Sequence, residues 1–163
     1  MSRYSVNVIA DGKWKIKGKQ MKGEILIADD ELHIRQLVNS TLGRDYSILE
    51  ASNGEEAINI ARRQKPDLIL LDIIMPKVDG FAACSLIKTD KATKGIPVVM
   101  LTGIGYEPNK KLAKGLGANG YITKPFNLGD LLNMVEQYVS ATVSTAGRES
   151  GTEMAIRITC DWK

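Results

Sequence analysis

At 163 residues, 44% hydrophobic and 25% charged, the chain suits one domain that buries roughly 70% of the surface its unfolded form exposes. Its two cysteines, Cys84 and Cys160, make neither a disulfide framework nor a metal-like spacing. No apolar stretch reaches the roughly 20 residues of a membrane span, and polar residues stand where a signal peptide would be apolar, so a cytoplasmic protein is expected rather than a secreted or membrane-spanning one.

The net charge of +3 divides unevenly, as +5 over residues 1–22, −2 over 23–139 and zero over 140–163. The basic excess belongs to an N-terminal extension, read as a solvated tail in preference to a nucleic-acid or membrane contact. Within it Tyr4, Val6 and Val8 alternate, Asp11-Gly12 is a turn signal, and Trp14 and Ile16 alternate again, which predicts a β-hairpin.

From residue 24 to 139, short apolar runs alternate with helical periodicity, the pattern of βα repeats on a parallel sheet. The first strand, residues 25–28, ends on Asp29-Asp30, and Ile34, Leu37, Val38 and Leu42 form the apolar stripe of the first helix. Residues 46–50 make the second strand. Ser52 and Glu55 form a capping box for a helix that stops before Pro66. The third strand, 68–71, is apolar throughout and ends on Asp72. Phe81, Cys84 and Ile87 pattern the third helix, with Cys84 as a small core residue. The fourth strand, 96–101, carries Pro97 at its start and ends on Thr102. Pro108, Leu112, Ala113 and Leu116 mark a short fourth helix that glycines end. Residues 121–123 form the fifth strand before Lys124-Pro125, and Asn127 caps a fifth helix faced by Leu128, Leu131, Leu132, Val135 and Val139. Residues 140–152 read as a linker, and Met154, Ile156, Ile158 and Cys160 alternate as a strand would over 154–160. An edge strand in these flanks would serve for dimerisation.

Loops at the carboxyl ends of parallel strands gather on one edge of the sheet. Three carboxylates, a hydroxyl and an ammonium are therefore expected to meet: Asp29, Asp30, Asp72, Thr102 and Lys124.

Over residues 24–139 the chain resembles the receiver domain of two-component response regulators. The resemblance rests on Ile-Leu-Ile-Ala-Asp29-Asp30-Glu31, Leu-Ile-Leu-Leu-Asp72-Ile-Ile-Met75-Pro76-Lys-Val-Asp79-Gly80, Val-Val-Met-Leu-Thr102-Gly103 and Gly117-Ala118-Asn-Gly-Tyr121-Ile-Thr-Lys124-Pro125-Phe126. It implies a flavodoxin-like (βα)5 fold, α/β, with a parallel five-stranded sheet in the order 2-1-3-4-5. It also implies Mg²⁺ as cofactor, with Asp30, Asp72 and the Ile74 backbone carbonyl as direct ligands and Asp29 acting through water. Two carboxylates 4 Å apart repel by on the order of 4 kcal/mol at an effective dielectric of 20, a conflict that a divalent cation resolves.

By the same resemblance Asp72 is the phosphoacceptor, taking its phosphoryl group from a histidine kinase or phosphotransfer protein. Lys124, before a cis proline, neutralises developing charge. Thr102 and Tyr121 are the switch, relayed to the face of the fourth helix, fifth strand and fifth helix. Ile74 and Ile104 flank the phosphoryl group, and their apolar side chains predict slow self-hydrolysis. The chain would thus catalyse its own phosphorylation and autodephosphorylation while serving mainly as a stand-alone signalling switch, with no output domain after residue 139 and no direct contact with nucleic acid or membrane.

Three other readings carry less weight. A haloacid dehalogenase-type phosphatase needs a second Asp at position 74, where this chain has Ile. An FMN-binding flavodoxin would find its phosphate repelled by Asp29-Asp30-Glu31. A receiver-like scaffold that is never phosphorylated would be expected to lack part of the constellation. His33, the sole histidine, is expected to face solvent from the first helix, as are Lys110, Lys111 and Lys114 from the fourth.

Overall fold

The computed structural model describes the backbone of residues 6–8, 14–16, 19–103 and 107–145, and side chains over 21–103 and 109–139. Three short strands, β1 (Val6–Val8), β2 (Trp14–Ile16) and β3 (Lys19–Gln20), make an antiparallel sheet in which Val6 pairs with Ile16 and Val8 with Trp14. The third of these strands has no alternation of its own in the sequence. The Asp11-Gly12 turn and the strand expected over 154–160 lie outside the described residues.

Five further strands and five helices then alternate: β4 (Glu24–Ala28), α1 (Leu32–Leu42), β5 (Ser47–Ala51), α2 (Gly54–Gln64), β6 (Leu68–Asp72), α3 (Gly80–Thr89), β7 (Val98–Thr102), α4 (Glu107–Gly115), β8 (Gly120–Thr123) and α5 (Leu128–Thr145). All pairs within this sheet are parallel, in the order β5-β4-β6-β7-β8. Counted within the five, that is the expected 2-1-3-4-5.

The apolar runs of β4, β6 and β7 have no polar alternation because both faces of the sheet are covered. Leu26, Ala28, Ile69, Leu71, Val98 and Met100 join one core with residues of α2 and α3, among them Ala57, Ala61, Cys84 and Ile87. Ile25, Ile27, Leu68, Leu70, Val99 and Leu101 join the other with Val38 and Leu42 of α1 and Leu131, Val135 and Val139 of α5. Successive residues of a strand point to opposite faces, so one short run feeds both cores. Cys84 is fully buried, as its place in the third helical pattern predicts.

Some local expectations change. The start of α2 lies one residue later than the Ser52/Glu55 pattern suggests: Asn53 is the N-cap, its Oδ1 accepting from Glu56 N–H at 3.0 Å, while Glu56 Oε2 accepts from Ser52 N–H at 2.7 Å. Gly54 can then lie against Val78, whose carbonyl accepts its N–H at 3.1 Å. On α1, Leu37 is 37% exposed, and the stripe that enters the core narrows to Val38 and Leu42. Asn127 caps α5 as expected, accepting from Asp130 N–H at 2.8 Å. That helix continues to Thr145, so the first part of the segment read as a linker is helical.

Candidate functional site

The chain moves from β4 outward to β5 and then returns past β4 to β6. This reversal opens a crevice beyond the carboxyl ends of β4 and β6, where ligands of open α/β sheets bind. Asp29 follows β4 and Asp72 ends β6. One oxygen from each of Asp29, Asp30 and Asp72 falls within 4.8 Å of the others. Asp29 and Asp72 are buried, whereas Asp30 is exposed.

Lys124 reaches this cluster from the end of β8, after which the Lys124-Pro125 peptide is cis. Its Nζ lies 2.6 Å from Asp29 Oδ2, 3.4 Å from Asp72 Oδ1 and 3.6 Å from Glu31 Oε1. The Lys124 backbone N–H donates to Thr102 O at 2.5 Å, which ties the ends of β7 and β8 together beside the site. Thr102 itself is buried, one residue beyond Leu101, the β7 partner of Asp72.

The electrostatics are those of a crowded anionic pocket. Burial, and then the charge of Asp29, push the Asp72 carboxyl up to about 6, against the opposing pull of Lys124. For Lys124 burial works against the charged form, but its close contacts with Asp29 and Asp72 and the attraction of their charges outweigh it and hold the ammonium above its usual range. Asp29 Oδ2 is buried and has the Lys124 ammonium beside it as an ion pair, without an aligned hydrogen bond. A buried carboxylate oxygen left in that condition, inside a set of hard oxygen donors with an exposed third carboxylate, suits a small divalent cation that keeps several waters. The residues present therefore fit Mg²⁺.

The other predicted positions are spread around this centre. Ile74 is 78% exposed on the loop after β6. Tyr121, on β8, is half-buried against the core, and the Lys110 ammonium of α4 stands 4.3 Å from its ring centroid, a cation–π contact. Lys110 is thus more than part of a solvated face. Ile104 lies outside the described residues. His33 is exposed, 3.5 Å from Glu31. The periodicity of α1 gives no notice of Arg35, whose guanidinium donates to the carbonyls of Asp29 and Asp30. The available signal was an arginine in the first turn of a helix that follows an acidic turn.

A sequence model of the response regulator receiver domain matches residues 25–136. The chain belongs to that family. Among similar proteins, the probable transcriptional regulator ycf27 of Guillardia theta is 38% identical over 113 residues, covering 69% of this chain and 43% of the relative. The chain therefore spans less than half the length of that relative. Of solved structures, the chemotaxis protein CheY4 of Vibrio cholerae is 32% identical with a TM-score of 0.68, covering 73% of this receiver and 99% of CheY4. The receiver domain of the sensor histidine kinase PA1611 of Pseudomonas aeruginosa is 25% identical, also with a TM-score of 0.68, over 72% and 98% of the two chains. That structure holds a magnesium ion coordinated in the active site cleft. Among the described residues, no helix of this receiver is long and apolar enough to cross a membrane.

Proposed function

We propose that this receiver takes a phosphoryl group from a phosphohistidine of a histidine kinase or phosphotransfer protein onto Asp72, and that the resulting aspartyl phosphate changes which proteins bind the α4–β8–α5 face. The observation that carries this reading is the Lys124 ammonium set among buried carboxylates, 3.4 Å from Asp72 and 2.6 Å from Asp29.

A carboxylate oxygen of Asp72 attacks phosphorus, an O–P bond forms, and the P–N bond breaks as the imidazole keeps the electron pair and takes a proton. Asp29, Asp30, Asp72 and the Ile74 carbonyl would hold Mg²⁺, which supplies charge neutralisation for the carboxylates and the phosphoryl oxygens when bound. Lys124 contributes a positive charge already within 3.4 Å of Asp72. Burial keeps Asp72 away from bulk water, so its charge interacts strongly with whatever cation shares the pocket.

Thr102 lies on the strand next to Asp72, and its hydroxyl is the group proposed to bond the phosphoryl oxygens. A shift there would reach Tyr121 through the β7–β8 tie and alter the surface next to α4. A groove beside β8, lined by Tyr121, Phe126, Asn133, Met134 and Gln137, together with half-exposed Leu112, makes that face suited to a protein partner.

The test is incubation with acetyl phosphate and measurement of intact mass. One added phosphoryl group that requires both Mg²⁺ and Asp72, and is missing from Asp72→Ala, is the expected result. A folded protein that gains nothing would defeat the reading and favour a scaffold.

The exposed Ile74 side chain offers no polar group to orient an attacking water. The phosphoprotein is therefore expected to persist for minutes or longer, and Ile74→Asn to shorten its life several-fold. Decay of the phosphorylated mass with time measures both, and a wild-type half-life of a few seconds would contradict the argument.

A further inference from the structure

The three carboxylates of the site are held in three different ways. Asp72 is fixed by burial at the end of β6. Asp29 is buried, its Oδ1 accepting from Glu31 N–H at 2.9 Å while Oδ2 faces Lys124. Asp30 is exposed, and no described residue donates a hydrogen bond to its carboxylate. The part of its direction that the structure fixes is its Cα–Cβ bond, which the backbone sets.

That backbone is held by one side chain. Arg35 Nη1 donates to the Asp29 carbonyl at 2.7 Å and to the Asp30 carbonyl at 3.2 Å. These oxygens belong to the peptide planes on either side of the Asp30 α-carbon. Orienting both planes sets φ and ψ of Asp30, and with them the direction of its Cα–Cβ bond. The guanidinium is itself held: Nε donates to Glu50 Oε2 at 3.2 Å, and Asn39 Nδ2 donates to Glu50 Oε1 at 3.2 Å. The Arg35 side chain is 14% exposed and that of Glu50 36%, so the guanidinium is shielded where it meets the Asp29 carbonyl while its carboxylate partner stays at the surface. A planar fork that spans two acceptors and a carboxylate is a task for Arg and poorly suited to Lys.

The geometry points to Arg35 as a positioning residue of the metal site: by holding the Asp29 and Asp30 carbonyls it aims the Asp30 carboxylate at the space shared with Asp29 and Asp72, and so sets the affinity for Mg²⁺. Glu50, at the end of β5, orients the guanidinium and links the edge strand to the site. The inference rests on the reading that this cluster binds a divalent cation.

Calorimetric titration of the full chain with Mg²⁺ tests it, paired with acetyl phosphate phosphorylation rates over a range of Mg²⁺ concentrations. Arg35→Ala is expected to weaken Mg²⁺ binding about tenfold or more, the usual loss when an outer support of a metal site is removed. Phosphorylation by this variant should recover as Mg²⁺ reaches saturation, because the acceptor and Lys124 are untouched. Arg35→Lys and Glu50→Gln should each weaken binding by less than Arg35→Ala. A folded Arg35→Ala protein with lowered thermal stability and wild-type Mg²⁺ affinity would overturn the inference and leave Arg35 as a structural residue. If Arg35→Ala does not fold, Arg35→Lys is judged by the same criterion: weakened affinity supports positioning, and unchanged affinity overturns it. Wild-type protein that binds Mg²⁺ but accepts no phosphoryl group would defeat the proposed function while the affinities still decide the role of Arg35. Absence of Mg²⁺ binding in the wild type would overturn both.

Discussion

Asp72→Asn is expected to abolish phosphoryl acceptance and, in the absence of metal, to make the protein more stable at pH 8. The folded state holds the Asp72 carboxyl up at about 6, against an ordinary value of 3.8. Between those two pH values the folded state binds more protons than the unfolded state, so stability falls as pH rises through the window and the penalty is complete above it. About two pH units at 1.36 kcal/mol each correspond to a penalty on the order of 3 kcal/mol at pH 8. Asparagine keeps the shape and removes the charge. Denaturant unfolding of both proteins in the presence of a chelator should therefore show the variant ahead at pH 8 and the gap closing toward pH 4. Added Mg²⁺ should close the gap from the other side, because a cation that binds the folded wild type stabilises it by mass action. A variant less stable than wild type at pH 8 would mean that the three carboxylates are not in conflict, and would weaken the case for a metal at this position.

Gly80→Ala is expected to cost about 3 kcal/mol or more, the upper end of what overpacking does. A Cβ at position 80 would stand 2.0 Å from the Asp72 carbonyl oxygen and 2.7 Å from the Ile73 α-carbon. Both obstacles are backbone, so no rotamer change relieves the clash. Gly80 N–H also donates to Ile73 O at 2.8 Å, which draws the start of α3 against the end of β6. The strand end that must move is the one carrying Asp72, so slower phosphorylation should accompany the loss of stability. Gly95→Ala is the control: a Cβ there meets nothing within 4 Å, and its stability should be unchanged or slightly raised. Urea denaturation of the two variants beside wild type measures the difference. A Gly80→Ala protein as stable as wild type would show that the β6–α3 junction yields.

The elements were legible because burial on both faces of a sheet leaves continuous apolar runs, and one-sided helices leave a 3.6-residue stripe. Ile25 to Ala28, Leu68 to Leu71 and Val98 to Leu101 carry that signal with a polar group at each end, and Asp29, Asp72 and Thr102 do stand at one edge of one sheet. The cap of α2 was less legible: Ser52/Glu55 and Asn53/Glu56 are equivalent as patterns, and the choice falls to Asn53 where Gly54 meets Val78. Leu37 fits the stripe of α1 yet stays partly exposed, since the helix presents a narrower face to the sheet than its sequence allows.

By itself the sequence determined which residues could form the site, because the chemistry of Asp, Thr and Lys and their positions at strand ends are local properties of the chain. Tertiary structure alone decided how those groups interact. The Asp72 carboxyl is pushed up only once burial and Asp29 surround it, and Arg35 touches the acidic turn and Glu50 together only once α1 packs against β4 and β5. Arg35 and Glu50 stand 15 residues apart, and no periodicity of 2 or 3.6 encodes a contact of that kind. It depends on distance and dielectric in the folded chain, which are properties of packing.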